Sequence, residues 1–231
     1  REGDEEEVLF ALSLLEHAAP PELADDLRRL LDHPSHRVRA RAVALLHQVG
    51  AGDLVGEIEP LLEDPEMDVR AEAIHYVCDY GAVPGDERMQ GFLEQAGEEV
   101  RVAAVACLLR HGDGEQLDRG LEAARRMAAS DDPAVRRDAA RALEEVDEDR
   151  PGTTELLEGL LTDGRAEVRH AAMRAAGRSG NCAVVDTLVE RLAEPEDRRA
   201  ARAALRAYGA RIHEQVLGRI ADPEVPRPIR I

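Results

Sequence analysis

Five times this chain writes Val-Arg, and each time Ala stands four residues after the Val: Val38-Arg39, Val69-Arg70, Val100-Arg101, Val135-Arg136 and Val168-Arg169. A sixth copy begins Asp197-Arg198, so the intervals between anchors are 31, 31, 35, 33 and 29 residues. The Ala is kept in all six copies, at Ala42, Ala73, Ala104, Ala139, Ala172 and Ala201. Twelve residues after the anchor come Gly50, Gly81, Gly112, Asp147, Gly180 and Gly209. A period of this length marks an array of supersecondary units rather than one irregular core.

Offsets 0, +4, +8 and +11 from the anchor fall on one helical face, and Ala at +4 lets a neighbouring helix approach closely. Gly at +12 supplies the left-handed residue that ends such a helix. Ahead of the anchors lie loops with Asp and Pro, as in Asp64-Pro65 and Asp132-Pro133, and before them apolar-periodic segments such as Leu23 to Leu31 and Leu54 to Leu62. Each unit therefore reads as helix, tight turn, helix. One pair cannot bury its apolar face alone, so the pairs must stack.

A helix ending in Leu-Leu-x-Asp, a Pro loop and then Val-Arg-x-x-Ala resembles the HEAT repeat family in its short bacterial form, over roughly residues 20 to 210. The units are shorter than the ~40 to 47 residues of typical HEAT arrays and are similar to the HEAT-like repeats of phycobilisome lyases. The resemblance implies an all-α, right-handed α-α superhelix of about six helix pairs in a single domain over residues 1–231. Residues 1–19 would form a partial unit or N-terminal helix, with one helix over 5 to 18, residues 20–210 the six repeats, and 211–231 a truncated seventh. The segments beginning at Val8 and ending at Arg230 are also similar to HEAT segments of bacterial transporter-like membrane proteins that carry a cyclic-nucleotide-binding module. Asp197 departs from the Val pattern, which puts the packing of the sixth unit in doubt.

Composition narrows the function. Only 2% of residues are aromatic and none is Trp, so Leu, Ala and Val must do the packing, and little material remains for an aromatic ligand pocket. The formal charge of −18 opposes the counterion release that drives nucleic-acid binding, which argues against DNA or RNA as a partner. All 30 basic residues are Arg, a usage that fits a GC-rich bacterial genome. Cys78, Cys107 and Cys182 are odd in number and widely spaced, which suggests no disulfide framework and favours a reducing cytoplasm. No apolar run approaches a membrane span and no leader pattern is visible, so direct membrane insertion is not expected.

A search for chemistry finds no catalytic set, no cofactor motif and no metal site, so an enzyme is not expected. The arginine after each anchor (Arg39, Arg70, Arg101, Arg136, Arg169, Arg198) could form an anion-binding row, but in HEAT-like repeats it pairs with loop carboxylates and carbonyls of neighbouring units. His75 and Cys78 sit three apart and Cys107 and His111 four apart, metal-ligand spacings on two successive helices. The offsets put the first pair on an exposed face and the second on a buried one, which separates them. Deoxyhypusine hydroxylase resembles this architecture but needs several His-Glu pairs for iron, and the only one here is His213-Glu214. Alkylpurine glycosylases of this fold use a basic, aromatic-rich groove that this chain lacks, and nothing marks a tetrapyrrole pocket for a lyase.

What remains is a binding surface. If the second helices line a concave face, offsets +2, +6 and +9 should be exposed. In the first three units those offsets give Ala40, Ala44, Ala71, Ala106, Val102 and Leu109, and in the last three Arg137, Arg141, Arg174, Arg199 and Arg206. The whole chain shows the same polarity: residues 1 to 115 hold 10 Arg against 26 acids, residues 116 to 231 hold 20 against 22. The expected partner is an acidic, partly apolar peptide, or another domain of the same polypeptide, held by Arg137, Arg141, Arg174, Arg199 and Arg206 with Val102 and Leu109 as apolar contacts. A regulatory segment of a transporter-like membrane protein is the second expectation, a lyase-type enzyme the third.

Overall fold

A computed structural model describes residues 2–15, 21–94, 97–144, 146–147 and 150–221. Among them all regular structure is helical, and the helices come in the pairs that the repeat implies. After α1 (Glu2–Leu15) come α2 (Ala24–Arg28) with α3 (His36–Gln48), α4 (Val55–Ile58) with α5 (Met67–Tyr80), and α6 (Asp86–Glu94) with α7 (Glu98–His111). Then follow α8 (Gly114–Ala128) with α9 (Pro133–Ala142), α10 (Thr153–Leu161) with α11 (Ala166–Ser179), α12 (Val185–Arg191) with α13 (Arg198–Ala207), and a last helix α14 (His213–Ala221). The expected N-terminal helix is present, starting earlier than predicted; residues 16–18 and the Pro-rich end at 222–231 lie outside the described residues.

The chain divides into two units, residues 1–107 and 108–231, with the boundary inside α7. In the first, α3 packs on α1, α2 and α5, and α5 on α4 and the 3₁₀ turn Glu59–Glu63. The second shows the solenoid principle most clearly. Its second helices form one layer, α9 on α11 on α13, and its first helices another, α8 on α10 on α12 on α14, with each pair closed by contacts between the layers.

The small residue at +4 is what permits this stacking. All six alanines are no more than 1% exposed, and a longer side chain there would hold the neighbouring helix away. The anchor valines Val38, Val69, Val100 and Val168 are fully buried beside them, while Val135 is half-buried. At Gly177 in α11 even a methyl group would lie 3.0 Å from the Cα of Ala204 in α13, so that contact is close to backbone on backbone. The helix ends vary more than the pattern implies: Gly50, Gly180 and Gly209 are left-handed, whereas Gly81 and Gly112 are not.

Two expectations about exposure are corrected. Val102 and Leu109 are 7% and 0% exposed, and Ala71 and Ala106 are buried too. The cause is in the helix: α7 runs Val102, Ala103, Ala104, Val105, Ala106, Cys107, Leu108, Leu109 without a polar residue, and every one of these is buried. A helical stretch that is apolar all round, as residues 102 to 109 are, has no solvent face to offer.

The second correction concerns the cysteines. Cys78 of α5 and Cys107 of α7 form a disulfide, with Cα atoms 5.8 Å apart, whereas the offsets had placed Cys78 on an exposed face. Both are buried, and Cys182 is the free one. His111, expected on the buried face, is exposed. The reducing compartment inferred from unpaired cysteines thus loses its basis, since such bonds persist in oxidising surroundings.

Closing a loop of 29 residues restricts the unfolded chain by ~3–4 kcal/mol. Urea unfolding followed by circular dichroism should therefore show oxidised protein more stable than protein in strong reductant by about that amount, with Cys78→Ala/Cys107→Ala indifferent to reductant. Equal midpoints for oxidised and reduced wild type would refute the bond's structural role.

Candidate functional site

The most repeated charged residue, the arginine after the anchor, ties one repeat to the next. Arg39 donates through Nε and Nη2 to the two carboxylate oxygens of Asp64, both at 2.9 Å, and through Nη1 to the carbonyl of His33 at 2.8 Å. Arg136 repeats the arrangement with Asp163 (2.7 and 3.1 Å) and the carbonyl of Ser130 (2.9 Å). Arg169 does so with Asp197 (2.7 and 2.9 Å) and the carbonyl of Asp163 (3.0 Å). The planar fork matches the carboxylate, and the third donor fixes the loop six residues upstream. Arg70 and Arg198 hold the same carbonyls of their own loops, at Asp64 and Leu192.

The acid side is equally built. Burial raises the Asp64 carboxyl, but the Arg39 hydrogen bond, the Glu66 N–H and the charges of Arg39 and Arg70 outweigh it and leave its pKa below the ordinary 3.8. At Asp163 the Arg136 hydrogen bond dominates, helped by the Arg165 N–H, and the pKa is again lowered.

Asp197 explains the irregular sixth repeat. In the second and fifth repeats the carboxylate comes from the loop, five residues before the anchor: Asp64 before Val69 and Asp163 before Val168. In the sixth, Leu192 occupies that loop position and the anchor itself is Asp. Asp197 is 0% exposed and takes the fork of Arg169, with His170 Nε2 at 3.1 Å and Arg191 at 3.8 Å. The acid has moved five residues along the chain while its role in the joint is kept.

The candidate partner-binding arginines divide into two groups. Arg137 and Arg141 lie 3.5 and 3.3 Å from the buried carboxylate of Asp138, one residue and three residues away on α9. Arg174 donates to Glu144 at 2.7 Å, and Arg178 approaches the same carboxylate at 3.6 Å. Each of the three candidates has a carboxylate beside it, shared with a second arginine. Arg199 and Arg206 are exposed on α13 and, with Arg202, have no carboxylate partner among the described residues. Next to them, between α13 and α14, runs a groove of about 770 Å³ with Leu205, Ile212, Val216 and Leu217 among its apolar lining and Arg198, Arg202 and Arg206 at its edge. Sequence reasoning missed this groove because Leu217 and Val216 belong to the next repeat's first helix.

Cys78 and Cys107, once considered as metal ligands, are consumed by their bond. A trio not foreseen, His36, Glu66 and Asp68, brings potential ligand atoms within 4.8 Å of one another. His36 Nδ1 and Asp68 sit 2.9 Å apart, and both side chains are 42% exposed, so the contact is another tie between successive repeats. The aromatic hydroxyls serve the same end: Tyr76 donates to the Ala51 carbonyl, Tyr80 to that of His47 at 2.9 Å, and Tyr208 to that of Asn181 at 2.8 Å.

Stacked antiparallel helix pairs, tied by a recurring Arg–Asp fork, define an α-helical repeat protein. The family model for HEAT repeats matches residues 85–165 and 121–209, more than half of the chain, and the chain belongs to that family. No curated protein is recognisably similar in sequence. Among solved structures, an engineered protein is 20% identical over 80% of this chain and 96% of its own, with a TM-score of 0.44. The Escherichia coli protein YibA is 21% identical over 89% and 78%, with a TM-score of 0.45. Human deoxyhypusine hydroxylase, in complex with glycerol, is 17% identical over 81% and 74%, with a TM-score of 0.41. Among the described residues no helix is long and apolar enough to cross a membrane.

Two outcomes follow from the fork. Asp197→Val alone removes both fork bonds of the buried Arg169, leaving it the exposed Glu196 at 3.1 Å and the Asp163 carbonyl, and should cost about 3 kcal/mol in urea unfolding. Adding Leu192→Asp, which restores the loop acid of the second and fifth repeats, should recover at least half of that loss; a double variant no better than the single one would refute the relocation. The lowered carboxyls also set an acid limit. Asp64 and Asp163 contribute stability that is fully present above their unfolded pKa near 3.8 and is lost as pH falls through their lower folded values. Asp64→Asn/Asp163→Asn should flatten unfolding free energy against pH below about pH 4, and an unchanged slope would contradict the assignment.

Proposed function

We propose that this chain is a non-catalytic protein-interaction module, receiving an acidic, partly apolar peptide or a flanking domain on the second helices of its last repeats. The observation that carries the reading is the sequence of α13, Arg-Arg-Ala-Ala-Arg-Ala-Ala-Leu-Arg-Ala, which presents Arg199 and Arg206 to solvent without an acid of its own. In a chain of net charge −18, unneutralised arginines on one helix are an exception that needs a reason. A binding partner with carboxylates supplies one, because guanidinium forks give both attraction and register.

The non-catalytic part of the reading draws support from how the polar residues are used. The recurring Arg, Asp, His and Tyr side chains bond across consecutive repeats, which leaves them holding the scaffold rather than facing a substrate. Of the arginines first considered, Arg199 and Arg206 carry the proposal; Arg137, Arg141 and Arg174 act with the acids beside them.

Selection of peptides from a random displayed library tests this directly. The wild-type chain should enrich acidic sequences with interspersed apolar residues, and binding should weaken as salt is raised. Arg199→Glu/Arg206→Glu should weaken the selected peptides about tenfold or more, the loss of one or two charge-assisted contacts. Enrichment of the same peptides by wild type and variant would sink the proposal.

A further inference from the structure

The first unit carries a helix with an unpartnered apolar stripe, and the second carries an apolar groove edged with arginine. In α1, Leu12 is buried against the repeat, but Phe10 and Leu14 are 66% and 65% exposed. They stand one helical turn apart on the same face, and Glu6 and Glu7, also exposed, precede them by about one turn. The visible face of α1 is thus acidic at one end and apolar along the rest. Glu5 is occupied by Ser35 and Arg37, so the exposed acids are the two that follow it.

The groove between α13 and α14 offers the reverse. Leu205, Ile212 and Val216 line it, and Leu217, 64% exposed, stands at its lip. Arg198, Arg202 and Arg206 recur every four residues along α13, one row on one side of the groove. Its volume of about 770 Å³ is enough for several large side chains. Large exposed apolar side chains beside a charged row are the mark of a contact surface.

We propose that the α13–α14 groove of one copy of this chain receives α1 of a second copy, Phe10 and Leu14 entering the apolar floor and Glu6 and Glu7 meeting the arginine row. The two surfaces differ, so the contact is heterologous and pairs the α1 end of one copy with the groove end of another, closing into a ring or continuing as an open chain. The inference stands apart from the foreign peptide of the preceding proposal, since its test contains no other molecule.

The experiment is sedimentation velocity or light scattering of the whole chain over a wide concentration range, at low and high salt. Wild type should grow in mean mass with concentration, less so at high salt. Phe10→Glu/Leu14→Glu disables the α1 end, and Arg202→Glu/Leu217→Glu disables the groove end; both pairs replace exposed side chains, and circular dichroism checks that the helices are intact. Each variant alone should lose association by about tenfold or more. Mixed in equal amounts, they should form a dimer and nothing larger, because only one complementary pair of ends remains. The proposal is overturned if wild type stays monomeric throughout. It is overturned equally if the variants associate as wild type does, or if their mixture yields no dimer.

Discussion

At three joints, first to second, fourth to fifth and fifth to sixth repeat, a fork between an arginine of one repeat and an aspartate of the next fixes how the two helix pairs sit on each other. Apolar burial by Val and Ala drives the helices together, but it is non-directional and would tolerate a slide along the helix axis. The fork does not. Arg39, Arg136 and Arg169 each present two parallel donors to one carboxylate and a third to a carbonyl of their own loop. A displacement of even 1 Å would break several of these bonds together while leaving buried charge behind. The net energy of such a pair against an apolar substitute is small; what it adds is a single permitted register.

The sixth repeat shows which part of that device is constrained. With Leu192 at the loop position, the carboxylate arrives from the anchor site, where four of the other five repeats have a buried Val, and it still meets the fork of Arg169. A charge at an anchor position would ordinarily be costly to bury. Here the position lies beside a guanidinium that must be paired in any case, so one buried charge answers another. Sequence pattern and structural role have separated, and it is the role that the stack preserves.

The same distinction explains what was legible beforehand. The Val and Ala anchors obey a helical period within one segment, so their burial could be read from spacing alone, as could the structural duty of the repeated arginines. Exposure at +2, +6 and +9 could not. It depends on what covers the far side of a helix, and the unbroken apolar run from Val102 to Leu109 was the signal that this stretch of α7 has no free side. The bond between Cys78 and Cys107 was missed for a related reason: assigning each residue to one of two faces presumed that faces of successive helices never meet. The groove between α13 and α14 arises from two repeats together, and no reading of one repeat at a time would show it.

Charge in the second unit is sorted by distance along the chain. Arg137 and Arg141 flank Asp138, and Arg174 reaches Glu144, so beside the forked Arg136 and Arg169 these arginines of α9 and α11 find an acid within their own repeat or the one before. On α13 the nearest upstream acid, Asp197, is already committed to Arg169, Arg191 and His170, and the helix itself supplies none. The carboxylate at the foot of α13 lies inside the joint, as the loop acids Asp64 and Asp163 do in theirs, and is no more available to the helix that follows. The face of α13 is basic because its own sequence, Arg198–Ala207, carries arginine without an acid among its residues, so Arg199, Arg202 and Arg206 face outward in an otherwise acidic chain.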